Sequence, residues 1–213
     1  MISMICDSDI SKLVKQKYLV GNVSFAHGAS GVIATLAQYE RFHPGTPYME
    51  EAILKLLQYE EEIGKGCLLD VRFEQDVDSL QWCNGSGGAL IARAIVAQTT
   101  LRSAEAVALK DLRRQIPNLI RNENTLGNDC ICHGISGSIL IFEFLSDHLR
   151  SHKHELAYTA QHFKQSLAAR FSVEDMKTAT GISKHSKGLL VGSAGILCAL
   201  GTQGYNGTII PEW

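Results

Sequence analysis

Four short segments of this chain repeat one pattern, a G-x-x-G turn followed by an apolar stretch: Gly28-Ala29-Ser30-Gly31, Gly85-Ser86-Gly87-Gly88, Gly134-Ile135-Ser136-Gly137 and Gly192-Ser193-Ala194-Gly195. Their first glycines are separated by 57, 49 and 58 residues. A period of that size is what one helical hairpin and its loops require. Glycine beside a helix start is common in proteins, but four copies at similar spacing point to a repeated structural unit. A small residue there lets the helix start approach a neighbour closely and leaves backbone N–H groups pointing outward.

The segments after three of the turns, 32–37, 89–96 and 138–145, are almost apolar all round and lack proline. That suits inner helices packed on several sides. Between them lie amphipathic stretches, Tyr48 to Ile63, Ala104 to Ile116 and Glu155 to Phe171, which read as outer helices with one face in water. Pro44, Pro47 and Pro117 are expected at element boundaries. Leu68 to Phe73 is the one stretch that reads as a short extended piece. The expected class is all-α, inner and outer helices paired in series.

Three of the turns carry side chains with metal-ligand or acid/base chemistry at the same place. His27 precedes Gly28, Cys83 lies two residues before Gly85, and Cys132-His133 precedes Gly134. Adjacent helical residues diverge by about 100 degrees, so joint use of Cys132 and His133 requires a loop, which the glycine turn supplies. If the turns converge, Cys83, Cys132 and His133 form a Cys₂His set, and three protein ligands with one open position describe a catalytic zinc. The same residues also fit a set of buried, inert thiols. Cys130 is either a fourth ligand or a packed thiol, and Cys198 reads as core. His27 suits a general acid/base. His148, His152 and His154 beside Lys153, and the run Glu60-Glu61-Glu62, read as solvated helix faces.

The formal net charge of −2 gives no basic excess for nucleic acid. No apolar run is long enough to span a bilayer. The six cysteines are irregularly spaced and no secretion signal precedes them, which favours a reducing cytoplasm and metal-binding thiols over a disulfide framework. With 213 residues, the expectation is a single domain over 1–213, with 1–20 as a leading segment.

Taken together, the turns resemble the lanthionine synthetase C-like cyclases, and most closely the C-terminal cyclase region of the bifunctional lanthipeptide synthetases. Ser24 to Gly31 is similar to the family's alanine-histidine-glycine motif and Trp82-Cys83-Asn84-Gly85 to its tryptophan-cysteine-x-glycine motif. Cys132-His133-Gly134 is similar to its cysteine-histidine-glycine motif, and Gly188 to Ile196 to its closing glycine-rich segment. The resemblance runs from about Gly21 onward. It implies an α/α toroid of helical hairpins, with Zn2+ held by Cys83, Cys132 and His133 and with His27 as an active-site acid/base. It also implies addition of a peptide cysteine to dehydroalanine or dehydrobutyrine, on a dehydrated precursor peptide supplied by a dehydratase.

Two departures accompany the likeness. The chain begins just before the histidine motif, so the family's first hairpins and an acidic residue from them have no counterpart, and a partial toroid or a complementing chain is expected. The family's arginine four residues before the motif cysteine is replaced by Ser79, with Arg72 the nearest substitute. These departures favour the alternative of a non-catalytic peptide- or partner-binding module. A sugar-processing toroid would need two opposed carboxylates where the turns offer cysteine and histidine.

Overall fold

In the computed structural model the described residues are 23–64, 80–121, 128–169 and 187–201, and they form seven α-helices. These are α1 (Ala29–Phe42), α2 (Met49–Ile63), α3 (Ser86–Val96), α4 (Arg102–Arg121), α5 (Ile135–His148), α6 (Lys153–Ala169) and α7 (Ser193–Gly201). No strand occurs among the described residues. The leading segment 1–20, Cys6, Cys67, Leu68 to Phe73, Arg72 and Ser79 lie outside them. The described residues divide into two compact units: 23–64 with 83–119, and 80–82 with 120–121, 128–169 and 187–201.

In the first unit α1 packs against both α2 and α3. Helix α1 buries Ala29, Ile33, Ala34, Leu36 and Ala37, a stripe at helical spacing. It stops at His43, and Gly45 and Tyr48 turn the chain back through positive φ. The buried Glu40 carboxylate accepts N–H bonds from Gly45 (2.7 Å) and Thr46 (3.3 Å), which satisfies donors the tight loop would orphan. Helix α3 buries all eleven of its residues, as its sequence predicts for an inner helix. Helices α2 and α4 each bury one face: Met49, Ile53, Leu56 and Leu57 in α2, and Ala104, Ala108, Leu112, Ile116 and Leu119 in α4. Each fully buried Leu or Ile contributes roughly 1.5–3 kcal/mol. The Glu50 carboxylate of α2 accepts the Ser103 N–H (2.6 Å) and the Ala104 N–H (3.4 Å), placing negative charge at the start of α4.

Two sequence expectations fail in this unit. Pro117 does not mark a boundary; α4 runs through it to Arg121. The proline forfeits an N–H bond to Arg113, but the buried stripe continues past it at Leu119, and packing there outweighs the local cost. Glu60 is not solvated: its residue is 0% exposed, whereas Glu62 is exposed. A glutamate run covers consecutive directions around a helix, so one member of three turns inward.

In the second unit α5 is the inner helix, with eleven buried residues, and it packs against α6 and α7. Phe142 of α5 meets Phe163 of α6 edge-to-face, with ring centroids 5.5 Å apart. Lys164 pairs with Glu143 across the same contact. A 3-10 turn at Arg150–His152 joins the two helices. His148 and His154 are exposed and His152 half-buried, as expected of a wet face. Cys198, read as core, is half-buried on α7, a helix that leaves Leu197 exposed. No helix among the described residues is long and apolar enough to cross a membrane.

Candidate metal centre

Each of the four glycine turns takes the same local form: three turn residues, the first glycine, then helix. Helices α1, α3, α5 and α7 begin one residue after Gly28, Gly85, Gly134 and Gly192. The first three of these glycines share one extended conformation, with φ of −139°, −137° and −122° and ψ near 180°. Any residue adopts that backbone, so conformation alone does not demand glycine. Close approach does. A β-carbon on Gly134 would meet the carbonyl oxygen of Asn128 at 2.5 Å and the amide nitrogen of Cys130 at 2.6 Å. The second glycine of the motif is tighter still. A β-carbon on Gly31, Gly137 or Gly195 would overlap the carbonyl oxygen six residues earlier, that of Phe25, Ile131 or Leu189. The turn therefore folds its own leading segment onto the helix start, and the residues just before the first glycine are held at the lip.

Those residues include the histidines and cysteines that the sequence singles out. In the first unit His27 stands exposed, with its backbone N–H donated to Ser24 Oγ at 3.1 Å. Cys83 is buried, at 1% exposure. The Ala26 N–H donates to the Cys83 carbonyl oxygen at 3.1 Å, tying the histidine turn to the cysteine turn. The second unit repeats that bond: the Cys132 N–H donates to the Leu190 carbonyl oxygen at 2.9 Å. In both bonds the donor lies two residues before the first glycine of one turn, and the acceptor two residues before that of the next.

Cys132 and His133 are both half-buried, and the Cys132 sulfur and a His133 ring nitrogen lie within 4.8 Å of each other. The glycine turn brings the two side chains to one side, which a helix would not do. Cys130 is fully buried beneath them. Its sulfur accepts the His133 backbone N–H at 3.3 Å and lies 3.7 Å from His133 Nδ1. Burial pushes the Cys130 thiol up, against the opposing pull of the His133 N–H. Asn128 fixes the start of this loop, with its side-chain oxygen accepting the Cys130 N–H at 3.1 Å. None of Cys83, Cys130, Cys132 and Cys198 is in a disulfide. Two thiols and an imidazole are a donor set suited to zinc, whose borderline-soft character matches sulfur and nitrogen.

Sequence reasoning missed a buried polar cluster in the first unit. Arg93 of α3, at 0% exposure, donates from Nε to Asp111 Oδ2 of α4 (3.2 Å) and from Nη1 to Glu60 of α2. Glu60 Oε1 accepts the hydroxyl proton of Ser30, the second residue of α1 (2.6 Å). Arg114 joins Asp111 (3.2 Å) to Glu61, which it grips with both terminal nitrogens at 3.0 and 2.8 Å. The Arg114 hydrogen bond holds the Glu61 carboxyl below its ordinary range, against a smaller opposing effect of burial. A charged residue inside an otherwise apolar segment, as Arg93 is in 89–96, was the available signal for this cluster.

A model of the family described as lanthionine synthetase C-like protein matches residues 6–208. The lacticin 481/lactococcin biosynthesis protein LcnDR2 of Lactococcus lactis subsp. lactis is 25% identical over 198 residues, which cover 90% of this chain and 21% of that protein. The solved structure of nisin cyclase matches with a TM-score of 0.60 at 20% identity, over 92% of this chain and 49% of that one. That likeness is one of fold, and it bears out the all-α class read from the helical pattern and the α/α toroid that the family resemblance implied. This chain spans about half the length of the structural relative and about one fifth of the curated one.

Proposed function

The chain belongs to the lanthionine synthetase C-like family, and from that premise we propose that it closes thioether rings in a dehydrated peptide, using Zn2+ held by Cys83, Cys132 and His133. The observation that carries the proposal is positional equivalence. Cys83 and Cys132 occupy the same place in successive copies of one turn, two residues before its first glycine, and His27 and His133 occupy the next place along. Zinc bound by two thiolates and an imidazole, with one position open, supplies a Lewis acid that keeps a substrate cysteine as thiolate near neutral pH.

The remaining steps fall to the protein. The substrate sulfur adds to the β-carbon of a dehydroalanine or dehydrobutyrine: a C–S bond forms and the C=C π bond breaks, leaving an enolate. That enolate takes a proton at its α-carbon, and His27, exposed at the lip of its turn, is the proposed donor. The proton lost from the thiol balances the one gained at carbon, so substrate and product are isomers. The backbone bond from Ala26 to Cys83 supports this division of labour, because it ties the turn of the acid/base to the turn of a ligand. The dehydroamino acids come from a separate dehydration step, and the partner is the precursor peptide that carries them.

Ring closure leaves the peptide mass unchanged, so the test counts alkylatable thiols by mass spectrometry after the zinc-loaded protein meets a dehydrated precursor. The expected result is loss of one reactive thiol per ring, with the rate falling about 10²–10⁴-fold in His27→Ala. Peptide binding with every thiol retained would instead identify a non-catalytic binding module.

A further inference from the structure

Ser30 lies three residues after His27, on the far side of the same glycine, and is itself 0% exposed. Its hydroxyl does not cap its own helix. It donates instead to Glu60 on α2, which Arg93 on α3 engages in turn, with Arg93 Nη1 also 3.5 Å from Ser30 Oγ. Both charged groups are wholly buried. A buried ion pair of this kind is a weak source of stability, because desolvation offsets most of the attraction and hydrophobic replacements often do as well. What it supplies is a defined arrangement, since each member has few ways to satisfy its hydrogen bonds. Here the arrangement joins the first turn of α1 to two other helices, and α3 is the helix that the Cys83 turn opens.

On the upstream side of His27, the Ala26 and His27 N–H groups bond to the Cys83 carbonyl and to Ser24 Oγ. The exposed imidazole therefore sits between two anchors: a pair of backbone donors before it and a buried side-chain relay after it. We infer that Ser30, Glu60 and Arg93 are positioning residues that set the His27 turn through the first turn of α1. The inference rests on the reading of His27 as the acid/base.

The test uses Ser30→Ala in the full chain, a change that removes one hydroxyl and leaves the Glu60–Arg93 pair intact. Hydrogen exchange of individual amides is compared with wild type. The expected result is exchange about five- to tenfold faster at Ala26 and His27, with the cores of α5 and α6 unchanged. Equal acceleration in every helix would mean general destabilisation, and no acceleration at Ala26 and His27 would mean no coupling; either overturns the proposal. A kinetic arm separates this claim from the proposed activity. In zinc-loaded protein, Ser30→Ala should lower kcat for ring closure and leave KM unchanged, and an unaltered kcat overturns the positioning role. If wild type closes no rings, the cyclase reading fails and the exchange comparison still decides whether the relay holds the turn.

Discussion

Gly31 and Gly137 stand where a β-carbon would overlap a backbone carbonyl oxygen in the same turn, so alanine at either position must displace main chain. Each of Gly31→Ala and Gly137→Ala should lose about 1–3 kcal/mol in urea unfolding. Gly201→Ala, where nothing among the described residues lies within 4 Å, should be neutral or slightly stabilising. The repeated glycines were legible as punctuation in the sequence; the carbonyl that each one touches was not, because it depends on how the preceding segment folds back. The Glu61–Arg114 pair makes a second residue-scale prediction. Glu61 titrates lower in the folded state than in the unfolded chain, so its contribution is present above the ordinary carboxylate range and is lost as pH falls through its folded pKa. Glu61→Gln should therefore cost no more than about 1 kcal/mol at pH 7, since the pair is partly exposed. The gap to wild type should close in acid, where a protonated Glu61 resembles glutamine. A gap that persists unchanged at pH 3 would contradict the assignment.

At the scale of elements, the inner helices α3 and α5 were readable because they are apolar in nearly every direction, and α2 and α4 because their apolar residues recur on one face. Two features escaped that pattern, and both are cases of tertiary contact overriding local preference. Glu60 resembles its exposed neighbours in sequence, and only the arrival of Arg93 from another helix makes its burial tolerable. Pro117 looks like a stop signal, yet the apolar face of α4 runs on beyond it. Restoring the missing N–H with Pro117→Ala should raise stability by about 1–2 kcal/mol, read as a shift in the unfolding midpoint. The helix start offers the converse case. Glu50→Gln removes the charge that faces the first amides of α4 and should lose about 0.3–1 kcal/mol, an effect that high salt reduces.

At the scale of the whole molecule, the chain is a series of hairpins whose inner helices each begin at the same glycine turn, with chemistry concentrated at the turn lips. The repeat period and the donors were plain in the sequence. The bonds that link one turn to the next were not, since Ala26 to Cys83 and Cys132 to Leu190 span 57 and 58 residues. Each of these two bonds registers one turn against another within the same compact unit, by backbone rather than by side chain. Cys83, Cys132 and His133 are proposed to act as one ligand set for a single ion. Native mass spectrometry of the intact chain, purified with zinc and then exchanged into metal-free buffer, tests it directly. One zinc per chain, retained by wild type and lost in both Cys83→Ala and Cys132→Ala while Cys198→Ala keeps it, is the predicted result. Full zinc retention in both the Cys83 and Cys132 variants would contradict it.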